Sequence, residues 1–248
     1  MKKKIFLSPV TINLYRECPR CFYLHMKYGI KRPRGPMPSI ATGLDSVLKK
    51  YFNYYRSIKE LPPELANKME GHLIEKLKPT YYRDIRETYC LLGKLDDCLV
   101  TKGDRYIPLD HKTRAGVAED IHPAYQLQME LYCILLEGNG MKTEDIAYLL
   151  YYYPLNVNPE EGAGNIVFGM DIKKVNVDMK HAMGFVEDAI GCLEKKEIPP
   201  PSEKCEYCMW IESVGGTNSL ENIPVKKDEK PLQPEEIIKE EEYKDTLF

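Results

Sequence analysis

Apolar residues recur along the chain with two different periods, and the switch between them divides it into blocks. Ser8-Pro9 opens a helix on a capping residue and a proline suited to a first turn. Ile12, Leu14 and Tyr15 give that helix an apolar side, and it ends near Pro19. Residues 29–39 hold three prolines and two glycines and read as a loop. Leu44, Val47, Leu48, Tyr51 and Phe52 then fall at helical spacing across 40–55, and Pro62-Pro63 opens a further helix to about Leu77. From 87 to 113 the pattern changes. Segments 87–92, 95–101 and 105–113 are rich in aliphatic and aromatic residues and are punctuated at Gly93 and Gly103-Asp104, which predicts a meander of strands.

Pro123 starts a helix whose stripe is Leu127, Leu131, Ile134 and Leu135, and Gly138-Asn139-Gly140 stops it. A buried strand is expected over 146–153. A polar loop at 155–165 leads to its antiparallel neighbour at 167–172, and an amphipathic helix follows over 178–195, ended by Pro199-Pro200-Pro201. This order of elements predicts an α/β domain over 1–216, with a mixed central β-sheet flanked by helices. Beyond it the composition turns to Gly, Ser, Pro, Lys and Glu, so 217–248 is expected to be a disordered acidic tail.

Composition narrows the setting. A chain of 248 residues suits one ordinary domain with an appendage. No apolar run approaches the roughly 20 residues that span a bilayer, and the first residues lose their apolar character by Ser8, so neither a membrane segment nor a secretory leader is expected. Eight cysteines without a leader point to a reducing compartment, the cytoplasm by default. The net charge of −3 conceals an asymmetry. Residues 1–36 carry nine lysines and arginines against the single acid Glu17, enough for phosphate contacts, whereas 217–248 carry nine acids against five lysines. The basic loop around Lys31, Arg32 and Arg34 has a better claim to phosphate contact than the tyrosine runs at 54–55, 81–82 and 151–153, which are more simply core or sheet residues, although a charge run is usually a solvated surface.

The chemistry concentrates in Gly93-Lys94-Leu95-Asp96-Asp97 and Leu109-Asp110-His111-Lys112. On a strand Asp110 and Lys112 emerge on one face while His111 points the other way. Asp96 and Asp110 would supply the carboxylate oxygens that hard cations such as Mg²⁺ or Mn²⁺ choose, and Lys112 could orient or deprotonate an attacking water. Which acid joins Asp110 depends on the hairpin. A three-residue loop Lys102-Gly103-Asp104 selects Asp96, while a two-residue Gly103-Asp104 turn selects Asp97. Gln128 and Tyr132, four apart, share one face of the following helix.

G-x-x-D at Gly93 to Asp96, D-x-K at Asp110 to Lys112 and Q-x-x-x-Y at Gln128 to Tyr132, in that order, resemble the three motifs of the RecB-like PD-(D/E)XK nuclease superfamily. The resemblance implies a restriction-endonuclease-like fold and hydrolysis of DNA, single-stranded or with free ends, by an exonuclease. It makes Asp96 and Asp110 metal ligands with the His111 carbonyl, Lys112 catalytic, and Gln128 and Tyr132 the completion of the site. Asp45 stands where that family often carries a ligating histidine, a departure from the pattern. A catalytically inactive nucleic-acid-binding module of the same fold is the competing reading.

Cys18-Pro19-Arg20-Cys21 and Cys205-Glu206-Tyr207-Cys208 flank this region and could staple its two ends around a metal. Resemblance to the CRISPR-associated exonucleases of that superfamily implies a four-iron four-sulfur (4Fe-4S) cluster. Paired C-x-x-C knuckles equally suit Zn²⁺, and separate thiols or a disulfide are the bland alternative. Cys90, Cys98, Cys133 and Cys192 lie in apolar patterns and are expected in the core.

Overall fold

The computed structural model describes residues 4–33, 39–117, 119–158, 164–214 and 234–235. Apart from Pro234 and Glu235, the expected tail over 217–248 lies outside them, as do Lys2, Lys3 and Arg34 of the basic end. The fold is mixed α/β. Strand β1 (Ile5–Leu7) leads into helices α1 (Pro9–Glu17), α2 (Pro19–Tyr28), α3 (Ser39–Ile58) and the short α4 (Pro63–Ala66). Strands β2 (His72–Leu73), β3 (Tyr81–Arg86), β4 (Tyr89–Gly93), β5 (Asp97–Val100) and β6 (Tyr106–Thr113) follow. Helix α5 (Pro123–Gly138), strands β7 (Ile146–Asn158) and β8 (Asn165–Asn176), and helices α6 (Met179–Glu194) and α7 (Glu206–Ser213) complete it.

The strands form two sheets, β1-β4-β3 and β2-β5-β6-β7-β8. Both are mixed, because β1 runs parallel to β4 and β6 runs parallel to β7, while the other pairs are antiparallel. The parallel step from β6 to β7 needs a crossover, and α5 provides it. This helix is buried on almost every side, from Ala124 to Leu136, because it packs against α1, α6 and both sheets. Its interior position explains why its apolar residues extend well beyond one stripe. The larger core gathers around it. A second cluster, with Leu48 and Phe52 of α3 against Leu109, Leu150 and Tyr152, fills the opposite face of the five-stranded sheet.

Several boundaries differ from the sequence reading. The helix expected from Pro62 to Leu77 stops at Ala66, and the chain turns at Gly71 into β2. Gly71 has φ 127°, and a Cβ there would sit 2.2 Å from the Val100 carbonyl oxygen, so the turn brings backbone against backbone where only glycine fits. The expected meander is divided, with β4 in one sheet and β5 in the other. The segment expected as a polar loop at 155–165 instead continues β7 to Asn158 and starts β8 at Asn165. Among the described residues, no helix is long and apolar enough to cross a membrane.

Candidate active site and metal centre

Strands β5 and β6 pair with Asp97 across from Leu109 and Val100 across from Tyr106. The Thr101 N–H donates to the Arg105 carbonyl at 2.9 Å, which closes a three-residue loop over Lys102, Gly103 and Asp104, the last left-handed at φ 55°. An odd loop fixes the parity, so the register carried one residue further sets Asp96 level with Asp110 and turns Asp97 away. Asp96 Oδ2 accepts the His111 backbone N–H at 3.2 Å. Asp97 instead lies buried under α3, where both carboxylate oxygens accept from Arg56 Nη2 at 2.6 and 2.7 Å. Burial raises its pKa against the pull of that guanidinium.

Asp110 and Lys112 share the face covered by α5. Lys112 Nζ lies 2.7 Å from Asp110 Oδ2, and both side chains are fully buried. Gln128 Nε2 donates to Asp110 Oδ1 at 3.3 Å and to the Tyr132 hydroxyl at 2.9 Å, so one amide nitrogen links carboxylate and phenol. Tyr125, a residue the sequence reading passed over, sets its ring 4.7 Å from the ammonium. Its signal was present, since Tyr125, Gln128 and Tyr132 follow helical spacing on one face.

His111 points to the other face. Its Nδ1 lies 3.1 Å from the Tyr152 hydroxyl, and its ring meets Phe52 edge-on at 4.5 Å. Burial, assisted by the cations Lys112, Lys49 and Arg56, pulls its pKa to about 3, which keeps the imidazole neutral near pH 7. Asp45 lies on α3, the helix packed against that same face, and pairs with Lys49 at 2.7 Å in a partly exposed contact. Among the described residues, the four paired cysteines are the only group of three or more Cys, His, Asp and Glu side chains placed to hold an ion. Asp96, immediately before β5, and Asp110 on β6 thus offer carboxylate oxygens without a third described side chain, from Asp45 or His111, completing a cage with them.

No protein-family model matches the chain, and no curated protein does. A solved structure described as "Crystal structure of SSO0001" is 18% identical over 91% of this chain and 89% of that one, with a TM-score of 0.48. A likeness of that degree bears on neither the fold class nor the chemistry.

Cys18, Cys21, Cys205 and Cys208 are all buried, and their sulfurs lie within 4.8 Å of one another. The two pairs are built alike. Cys18 is extended, at φ −157° and ψ 107°, which ends α1 and serves as the N-cap of α2, and Cys21 lies three residues on. Cys205 is the N-cap of α7, with Cys208 three residues on. Both pairs thus sit at helix N-termini, where the backbone dipoles favour thiolate. The neighbouring Cys21 thiol, assisted by the Ser202 amide, draws the Cys18 thiol down, and the proximity of Cys18 together with burial pushes Cys21 upward. Four buried, converging sulfurs are compatible with a zinc or an iron–sulfur centre.

Among the described residues of the basic N-terminal segment, several cations are engaged in contacts within the protein. Arg20 Nε donates to the Pro199 carbonyl, Lys27 to the Lys195 carbonyl, and Arg32 pairs with Glu17 at 2.5 Å while donating to Cys205 Sγ at 3.6 Å. These contacts tie α2 and the following loop to residues 195–205. Tyr23, Tyr81, Tyr132 and Tyr151 are fully buried and act as core, whereas Tyr54 and Tyr82 are exposed.

Proposed function

We propose that the chain is a metal-dependent DNA nuclease of the RecB-like PD-(D/E)XK type, with a restriction-endonuclease-like core spanning 1–216. The observation that carries this reading is the Asp110–Lys112 pair on β6, held by Gln128 and Tyr132 from α5, with Asp96 immediately before the neighbouring strand β5. Three motifs separated in sequence meet at one place on the sheet. A hard divalent ion, Mg²⁺ or Mn²⁺, would be held by the oxygens of Asp96 and Asp110, and when bound it supplies charge neutralisation at the phosphoryl oxygens and a more acidic water.

The remaining work belongs to side chains of the chain itself. Lys112 holds a proton within hydrogen-bond distance of Asp110, where it can neutralise charge developing at phosphorus. Gln128 fixes the orientation of the Asp110 carboxylate, and Tyr132 fixes the Gln128 amide. DNA, single-stranded or with free ends, is the substrate this reading assigns.

Purified full-length protein, incubated with end-labelled single-stranded and blunt duplex DNA in Mg²⁺ or Mn²⁺, is expected to cleave at least one substrate. Asp110→Ala and Lys112→Ala are each expected to lower the rate by at least about 100-fold, the range of a lost acid–base or electrostatic group. A wild-type protein that cuts neither substrate, or variants that cut as fast as wild type, would refute the proposal. The complete burial of Asp110 and Lys112 favours a second reading, a nucleic-acid-binding module without catalysis. DNA binding that survives EDTA, with no cleavage under any metal, selects it.

A further inference from the structure

The sulfur spacing sits closer to that of one ion than to that of the four-iron cluster implied by the family resemblance. Cys21 Sγ lies 3.6 Å from Cys205 Sγ and 3.7 Å from Cys208 Sγ, Cys18 Sγ lies 3.9 Å from Cys208 Sγ, and all four sulfurs lie within 4.8 Å of one another. A single ion with four thiolates at about 2.3 Å in a tetrahedron has sulfur–sulfur edges of about 3.8 Å. In a four-iron cluster each thiolate binds its own iron at the rim of a larger body, so the sulfurs stand further apart than those edges. We propose that Cys18, Cys21, Cys205 and Cys208 hold one tetrahedral Zn²⁺, and that Arg32 is the outer-sphere residue that retains it.

Two further observations point the same way. Each pair presents a cysteine at a helix N-cap and another three residues on, so the two halves of the site are equivalent knuckles related across the ion. A lone zinc with four thiolates also carries a net charge of about −2, which favours cationic and N–H partners around the sulfurs. The protein supplies them. Arg32 Nη2 donates to Cys205 Sγ at 3.6 Å, and the Ser202 N–H donates to Cys18 Sγ at 3.5 Å. Arg32 is held by Glu17 of α1 on one side and lies 4.8 Å over the Tyr207 ring of α7 on the other. It therefore joins an N-terminal helix, a sulfur of the second pair and the last helix through one planar group. The zinc site is independent of the nuclease reading, and metal content and retention report on it without any measurement of cleavage.

The full chain, purified anaerobically without added metal, is to be examined by elemental analysis, acid-labile sulfide and visible absorption, then exchanged with Co²⁺. The expected result is colourless protein with about one zinc per chain, no stoichiometric iron, and tetrahedral thiolate bands on cobalt loading. Iron with acid-labile sulfide at about four per chain would overturn the proposal, as would a chain that binds neither zinc nor cobalt through thiolates. Arg32→Ala is expected to weaken zinc retention against a chelator by about 10- to 100-fold and to shift the cobalt–thiolate bands. Arg20→Ala, whose guanidinium reaches the Pro199 carbonyl and Glu212 and not a sulfur, should retain zinc as wild type does. Zinc retention within twofold of wild type in Arg32→Ala, with unshifted bands, would remove Arg32 from the site.

Discussion

Replacing Lys112 by methionine tests whether the Asp110–Lys112 contact is the buried ion pair on which the candidate active site rests. Both side chains are fully buried and lie 2.7 Å apart, and the change deletes the ammonium while keeping most of the apolar stem. The Asp110 carboxylate then stays in the interior without this cation, with the weaker 3.3 Å hydrogen bond from Gln128 still in place. Breaking a buried pair from one side costs about 3–5 kcal/mol, because the surviving charge remains desolvated. For a chain of this size each kcal/mol moves Tm by about 2–4 °C, so Lys112→Met should melt roughly 6–20 °C below wild type. Converting both residues, Asp110→Leu with Lys112→Met, removes the charge problem and should recover most of that loss. Urea denaturation followed by far-UV circular dichroism, run as a double-mutant cycle, gives the coupling directly. A single-variant cost below about 1 kcal/mol, the value of a solvated pair, would refute the reasoning. A stable double variant that fails to cleave DNA would separate folding from chemistry.

Four more outcomes follow from the same contacts. His111 is neutral in the folded state down to about pH 3 but protonates in the unfolded chain near 6.5, so stability should fall as pH drops through that window. Its contribution is at most about 1.4 kcal/mol per pH unit, and a His111→Phe variant should show a correspondingly flatter dependence of urea midpoint on pH. Gly93→Ala should cost roughly 1–3 kcal/mol in thermal unfolding, because its Cβ would lie 2.7 Å from Leu135 Cδ1 and 3.4 Å from Tyr132 Cε1 in a filled core. Arg56→Met should cost about 3–5 kcal/mol by the same assay, since it strands the buried Asp97 carboxylate. Chelation of the metal should raise hydrogen exchange in α1, α2 and α7 well before β6, and uniform exchange across all four would argue against a local clasp.

Much of the candidate site was legible because it depends on local periods. The alternation of Asp110, His111 and Lys112 placed two side chains on one face and one on the other, as found. The spacing of Gln128 and Tyr132 set both beneath one helical face. The choice between Asp96 and Asp97 turned on the hairpin loop, and its three-residue form, with Asp104 left-handed, selects Asp96. What escaped depends on contacts distant in sequence. Strand β1 pairs with β4, joining Ile5 to Tyr89, and nothing within three residues announces a partner that remote. Strand β2 is two residues long and exists because Gly71 lets the chain meet β5. The outer half of β7 carries Pro154, Asn156 and Asn158, which suggest a loop, yet it goes on pairing with β8 past a register shift between Pro154 and Asn156. The burial of Asp97 by Arg56 was likewise invisible, because it requires α3 to lie across the end of β5.

The cysteine centre and the acid–lysine site are connected by more than position in one fold. Cys18 terminates α1, and α1 packs against α5, where Asn13 Nδ2 donates to the Ala124 carbonyl at 3.0 Å. Ala124 lies one helical turn before Gln128, the residue that orients Asp110. Arg32 and Glu17 close the other side of α1 onto Cys205 and α7. A metal held by the four sulfurs would therefore fix the chain's first helices against its last, and through Asn13 would hold the start of α5 at the height that brings Gln128 to the carboxylate. The sheet itself does not need this clasp, because β6 is held on both sides by β5 and β7. The dependence falls on the helix that completes the site rather than on the strand that carries its charges.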